Sequence, residues 1–407
     1  MKKKIIRTAT IALSLDYLLK GQLFFLKQQY KVLAVSGSDM HLEAVATREQ
    51  VQTIDIEMQR SISPLKDLKS LWQLYWLFKK EKPLIVHSIT PKAGLLTMLA
   101  GYFAGVPIRM HTFTGLIFPT KTGFLQQLLI GMDRVLCYCA TDIYPEGQGV
   151  RNDLIRYKIT SKNLQVLANG NVNGIDTSFF NPGNFTVQQN QELKNSLEIQ
   201  ATDFIFIFIG RLVGDKGINE LVAAFKKLQS QKANVENLEP NVLLNNDNDN
   251  SKFKIQNSKL LLVGPLETEL DPLDKETLQE IEENPNIISV GFQKDIRPYL
   301  AISHCLAFPS YREGFPNVVL QAGAMGLPII VTNINGCNEI IIEGHNGIII
   351  PVKNSDKLHD AMFKMINENE YRLQLKYNAR PMIISRYEQQ VVWEAILLEY
   401  KRLEQNV

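Results

Sequence analysis

The sequence predicts an α/β protein made of two doubly wound, parallel-sheet domains in series. Three observations predict this. Short apolar runs alternate with amphipathic stretches, an Asn/Gly/Pro-rich segment interrupts the alternation near mid-chain, and the alternation then restarts.

In the first half the apolar runs fall at residues 5–11, 30–36, 51–56, 83–89 and 108–113, with a further strand expected near 135–139. Lys31-Val-Leu-Ala-Val35 and Leu84-Ile-Val86 are continuous rather than alternating. Strands read this way when helices cover both faces of their sheet. Helical patterns lie between them at 15–29, 65–80 and 94–105. Strand–helix–strand alternation implies parallel βαβ units, hence a Rossmann-like domain over 1–178.

Asn169-Gly-Asn-Val-Asn-Gly-Ile-Asp176 and Asn181-Pro-Gly-Asn184 read as a linker. The second domain spans 184–387. It begins with the central strand Phe204-Ile-Phe-Ile-Phe-Ile209 and a helix over 218–228. Further strands are expected at 259–263, 286–290, 305–309, 328–332 and 347–352. Residues 229–258 are a polar, low-complexity insertion centred on Asn245-Asn-Asp-Asn-Asp-Asn250. Such a tract buries too little apolar surface to offset its ordering entropy. The final segment, 388–407, is a helix whose apolar stripe is expected to cross back and pack on the first domain. No sequence repeat relates the halves.

The chain has 407 residues, 45% hydrophobic and 21% charged, with a formal net charge of +2. These values are ordinary for a globular protein of two or three domains. Cys137, Cys139, Cys305 and Cys337 form no Cys-x-x-Cys pair. They read as reduced, mostly buried thiols in a cytoplasmic protein, not as zinc ligands or disulfides. Met1-Lys-Lys-Lys4 resembles the start of a signal peptide, but Arg7, Asp16 and Lys20 interrupt the apolar stretch behind it. No apolar run reaches the ~20 residues that span a bilayer. Charge is divided unevenly. Residues 1–183 carry 22 Lys and Arg against 13 Asp and Glu, and residues 184–407 carry 22 against 29. A basic first half suits an anionic partner such as a phospholipid surface or a diphosphate.

Two clusters carry chemistry. Gly210-Arg-Leu-Val-Gly-Asp-Lys-Gly217 joins the central strand to the following helix. Such a turn places backbone N–H groups where an anion sits. Arg211 adds a planar fork and Lys216 a point charge, a pair suited to a diphosphate. The turn is neither a Walker loop nor Gly-x-Gly-x-x-Gly, which weakens kinase, ATPase and dehydrogenase readings. The second cluster is Pro309-Ser-Tyr-Arg-Glu-Gly-Phe-Pro-Asn-Val-Val-Leu-Gln-Ala-Gly323. A strand ends near Pro309, and a turn carries Glu313, Gly314 and Phe315. Pro316 suits the first helical turn, followed by Val318, with Asn317 and Gln321 on one helix face. Glu313 is placed to hold sugar hydroxyls and Gln321 a ribose, above the strand ends where doubly wound sheets bind ligands.

Together the clusters resemble the retaining GT-B glycosyltransferases of family 4, also called group 1. Their signature is an Arg and a Lys in a Gly-Arg-Leu…Lys-Gly turn, then a Glu, seven residues and a second Glu. Here the positions are Arg211, Lys216, Glu313 and Gln321, the last an amide where the family has an acid. Asn335-Gly-Cys-Asn-Glu-Ile-Ile341 and Gly344-His-Asn-Gly347 extend the likeness, which is to the bacterial surface-polysaccharide branch. The resemblance implies two Rossmann-like domains facing a cleft and a nucleotide-sugar donor, expected to be a UDP-sugar, on the second. It also implies retention of configuration in transfer of a hexose or N-acetylhexosamine to a polyprenyl-diphosphate-linked saccharide. No metal or other cofactor and no nucleic acid partner is expected, with peripheral attachment to the cytoplasmic face of the inner membrane through the basic first domain. By the same resemblance His111, read as ending its strand, faces the donor sugar and its phosphate. Lys20 and Lys92 are candidates for the acceptor side, and His87 reads as structural.

Two features invite other readings. Asp247-Asn-Asp249 matches the metal-holding Asp-x-Asp of single-domain glycosyltransferases, but it lies in a polar tract and not at a strand end. Trp72 to Phe78 reads as core-facing, whereas 116–124 suits contact with a membrane or lipid acceptor. The alternatives to transfer are a sugar-nucleotide epimerase of the same architecture and a non-catalytic subunit of a glycan assembly system, for which Gln321 is the hint.

Overall fold

The structure is a computed structural model that describes residues 2–59, 63–237, 257–269 and 271–407. Most of the polar tract, with Asp247-Asn-Asp249, lies outside the described residues. The chain divides into two compact units, Met1–Gly174 with Arg386–Val407, and Ile175–Ser385. The first division falls a few residues before 178, and the chain returns to the first unit at Arg386.

The first unit holds six parallel strands. They are β1 (Lys4–Thr8), β2 (Lys31–Ser36), β3 (Gln52–Asp55), β4 (Ile85–Ser88), β5 (Ile108–Phe113) and β6 (Asp142–Pro145). Their order is β3-β2-β1-β4-β5-β6. The second unit holds β7 (Phe204–Ile209), β8 (Ser258–Val263), β9 (Ile287–Ser289), β10 (Cys305–Phe308), β11 (Ile329–Thr332) and β12 (Gly347–Ile350), all parallel. Their order, β12-β11-β10-β7-β8-β9, repeats the first sheet's topology. In each sheet the chain reverses direction of winding beside the first strand, between β1 and β4 and between β7 and β10. Doubly wound sheets bind ligands at the carboxyl ends of such strands.

Burial explains the continuous apolar strands. In β1, Ile5 packs into a core with Leu15, Leu42, Val392 and Ile396, while Ile6 packs into the opposite core with Leu74, Phe78, Leu96 and Leu136. All six residues of β7 are buried. The C-terminal helix Gln389–Glu404 closes one face of the first sheet. There the Tyr400 hydroxyl accepts from Arg7 Nη1 at 3.0 Å and bonds His87 Nδ1 at 2.7 Å. His87 is thereby a core residue.

Several expectations are corrected. Residues 135–139 are the end of helix Gly123–Cys139, not a strand; the edge strand is β6. A short apolar run has no periodicity of its own to tell the two apart. The helix expected over 15–29 is two, Ala12–Leu18 and Gln22–Leu26, broken at Gly21, whose φ of 82° is left-handed. The helix after β7 runs Ile218–Asn237, beyond 228. In helix Pro64–Glu81 the buried stripe is Ser70, Leu74 and Phe78, which turns Trp72 and Trp76 to solvent at 64% and 54% exposure. All four cysteines are buried free thiols.

Candidate active site

The two signature turns meet at the β7/β10 switch point. After β7 the chain passes Gly210, forms a 3-10 turn at Gly214–Lys216, and reaches Gly217 at φ 72° before helix Ile218–Asn237. Asp271 holds this turn, its carboxylate accepting from Asp215 N at 2.5 Å and its carbonyl from Gly214 N at 3.0 Å. Tyr311 N donates to Asp215 O at 2.9 Å, tying the turn to the loop after β10. A Cβ on Gly217 would lie 2.2 Å from the Pro309 carbonyl oxygen, so only glycine permits this approach.

The approach brings Lys216 to Glu313, Nζ to Oε1 at 2.5 Å, across 97 residues of sequence. Both side chains are largely sheltered, 16% and 18% exposed. Ser310 Oγ donates to the same Glu313 oxygen at 2.9 Å. Pro316 caps helix Asn317–Ala324 rather than lying within it. A third segment closes the back. A Cβ on Gly336 would meet the Gly314 carbonyl oxygen at 2.4 Å, so the start of helix Cys337–Ile340 lies against the Glu313 turn. Burial, and then the Glu313 charge, push the Cys337 thiol well above its ordinary range, leaving it a protonated wall residue.

Arg211 is not in this cluster. Its Nη1 donates to Glu267 Oε2 at 2.9 Å on a side chain 46% exposed. An exposed pair of this kind is worth about 0–1 kcal/mol, so an arriving diphosphate can displace Glu267 at little cost. Phe315 is buried, while Gly210, Gly314, Asn317, Val318 and Gln321 are partly exposed. Ser310 and Cys337 lie within the quoted motifs but carry no role in the sequence reading, and Asp271 has no local signal in the sequence.

His111 does not end its strand: it is the fourth residue of β5, followed by Thr112 and Phe113. It is 1% exposed, with Nδ1 2.8 Å from Ser88 Oγ. A Cβ on Gly94 would lie 2.5 Å from its Cε1, so the ring fills the space below helix Pro91–Ala104. Burial pushes its pKa down to about 3 and that of His304 down to about 4, and it holds His87 well below 6.5. These rings stay neutral in the folded chain but gain protons on unfolding below pH 6.5. Their contribution is fully present above about pH 6.5 and is lost as pH falls through the range down to the folded values. Melting temperature is therefore expected to drop steadily between about pH 6.5 and 4. A flat series over that interval would show that these histidines are not held neutral.

Residues 189–382 match the family model for glycosyl transferases group 1, and residues 11–145 match that for glycosyl transferase 4-like proteins. A relative from Staphylococcus aureus, the capsular polysaccharide biosynthesis glycosyltransferase CapM, is 30% identical over 400 residues, 97% of this chain and 96% of that one. The chain is a group 1 glycosyltransferase. Another similar protein, from Escherichia coli, is the UDP-Gal:alpha-D-GlcNAc-diphosphoundecaprenol alpha-1,3-galactosyltransferase, 28% identical over 80% of this chain and 77% of its own. The fold of this glycosyltransferase is GT-B. Anabaena Alr3699/HepE in complex with UDP superimposes with a TM-score of 0.77 over 99% of this chain and all of that one, at 16% identity.

Proposed function

We propose that this glycosyltransferase moves a hexose or N-acetylhexosamine from a UDP-sugar to a polyprenyl-diphosphate-linked saccharide, with retention of configuration, in bacterial surface-polysaccharide assembly. The observation that carries it is the Lys216–Glu313 pair at the switch point of the second sheet. A cation and a carboxylate side by side suit a ligand with a diphosphate next to a sugar. Lys216 takes the diphosphate and Glu313 the sugar hydroxyls, each exchanging one partner for another. Arg211, released from Glu267, adds its fork to the phosphates. The backbone from Gly314 through Asn317 and the amino end of helix Asn317–Ala324 add positive potential. Gln321 meets the ribose, where its amide both donates and accepts.

These groups stabilise the charge that develops on the departing diphosphate. The acceptor hydroxyl attacks the anomeric carbon on the face from which the diphosphate leaves. A phosphate oxygen takes the hydroxyl proton, and no enzyme nucleophile is involved. The relatives support the choice of substrates: the Escherichia coli protein uses UDP-Gal and a diphosphoundecaprenol-linked acceptor, and the Anabaena fold neighbour binds UDP and UDP-glucose.

Because protein cations meet the diphosphate, turnover is expected to persist in excess EDTA; loss of activity restored by Mn²⁺ or Mg²⁺ would overturn that assignment. Peripheral attachment to the cytoplasmic face of the membrane is supported by exposed Leu65, Leu68, Trp72 and Trp76 along helix Pro64–Glu81, next to Lys69, Lys79 and Lys80. No described helix is long and apolar enough to cross a membrane. The test is transfer from a panel of UDP-sugars to GlcNAc-diphosphoundecaprenol, with the anomeric configuration of the product read by NMR. An α-linked product from an α-linked donor is expected. Inversion would refute the mechanism, and isomerised nucleotide sugar without acceptor would mark an epimerase.

A further inference from the structure

The two oxygens of the Glu313 carboxylate are not equivalent. Lys216 Nζ at 2.5 Å and Ser310 Oγ at 2.9 Å both meet Oε1. Among the described residues no donor meets Oε2.

Ser310 is completely buried and follows β10 after Pro309. A serine hydroxyl has one proton to donate. Three acceptors lie near it: Glu313 Oε1 at 2.9 Å, the Arg312 carbonyl at 3.2 Å and the Asp215 carbonyl at 3.5 Å. The Asp215 carbonyl already accepts from Tyr311 N at 2.9 Å. Glu313 is both the nearest acceptor and the only carboxylate of the three, so it takes the proton.

Ser310 is itself fixed from the neighbouring strand. The register of β10 with β11 ends at Phe308 and Val331. The next residue of β11, Thr332, is buried and extends the pairing with its side chain, donating Oγ1–H to the Ser310 carbonyl. Two buried hydroxyls thus connect the end of β11 to Glu313.

The two donors to Oε1 have different fates. Under the proposed function Lys216 turns to the diphosphate when the donor arrives, and Glu313 then shares its cation. The Ser310 hydroxyl is enclosed by protein and stays. We infer that Ser310 is the positioning residue for Glu313: it holds Oε1 while the donor is bound and so aims Oε2 at the hydroxyls of the transferred sugar. What Oε2 meets rests on the proposed function; the hold on Oε1 does not.

The experiment has two arms, both on the full-length protein. The first needs no ligand. In crystals of Lys216→Ala the Glu313 carboxylate is expected to remain on Ser310. In crystals of Lys216→Ala combined with Ser310→Ala it is expected to move by about 1 Å or more, a displacement large enough to matter for catalysis. The same carboxylate position in both crystals, or loss of the Ser310 contact already in Lys216→Ala, would overturn the inference.

The second arm measures kcat/KM for UDP-glucose, UDP-galactose and UDP-N-acetylglucosamine with GlcNAc-diphosphoundecaprenol, and UDP affinity by calorimetry. On the best donor, Ser310→Ala is expected to lower kcat/KM by about 10- to 100-fold, the worth of a hydrogen bond to a charged group. UDP has no sugar for Oε2 to meet, so its affinity is expected to stay within about twofold. In a Glu313→Ala background the same substitution is expected to change kcat/KM by less than about twofold, because a residue that acts through Glu313 then has nothing to position. Additive losses, or an equal loss of UDP affinity, would mark a general structural role and overturn the inference. Turnover of no donor by wild type would count against the proposed function, and the crystals would still decide whether Ser310 holds Glu313.

Discussion

Lys216→Ala is expected to lower turnover by two to three orders of magnitude while the protein stays folded. Removing one preorganised group that stabilises developing charge costs about 10²–10³ in rate. Here the group is the sheltered ammonium 2.5 Å from Glu313. The structural cost is small by comparison. Glu313 keeps its hydrogen bond from Ser310 Oγ at 2.9 Å. The turn is held by Asp271 and by the backbone of Tyr311, not by the lysine side chain. A partly exposed pair of this sort contributes roughly 1 kcal/mol, which moves the melting temperature by a few degrees. Steady-state kinetics and a melting curve on the same preparation check both halves. Wild-type turnover in the variant would remove Lys216 from the mechanism.

The second large effect concerns the backbone that brings Lys216 into place. Gly217→Ala would put a Cβ 2.2 Å from the Pro309 carbonyl oxygen, at a φ of 72°. Neither the strand end nor the turn can yield cheaply, because Tyr311 N ties the two segments together and Gly214 N and Asp215 N fix the turn to Asp271. The expected loss is about 3 kcal/mol or more, with turnover falling alongside as Lys216 is displaced. Gly105 provides the control. Its φ is 74°, yet nothing lies within 4 Å of the place its Cβ would take. Gly105→Ala therefore carries only the conformational term, about 1 kcal/mol. Equal losses in the two variants would show that the close approach to Pro309 contributes nothing.

The sequence was most informative where burial is complete. Phe204-Ile-Phe-Ile-Phe-Ile209 is the central strand residue for residue, because a strand covered on both faces has to be apolar throughout. Lys216 and Glu313 were legible because glycines and a proline mark the turns that hold them. Edge elements were less so. β6, Asp142-Ile-Tyr-Pro145, is four residues long and begins with a charge, while the more apolar residues 135–139 beside it are helical. His111 sits two residues inside β5, a depth that a run of apolar and hydroxyl residues does not reveal. Trp72 and Trp76 were read inward because aromatics usually are, but the spacing of Ser70, Leu74 and Phe78 turns them outward.

The most direct measurement is equilibrium binding of UDP to wild type and to Lys216→Ala. Wild type is expected to bind UDP, and the variant to bind it at least tenfold more weakly, through loss of one charge-assisted contact to the diphosphate. Equal affinity in the two proteins, or no UDP binding by wild type, would contradict a nucleotide site at the β7/β10 switch point.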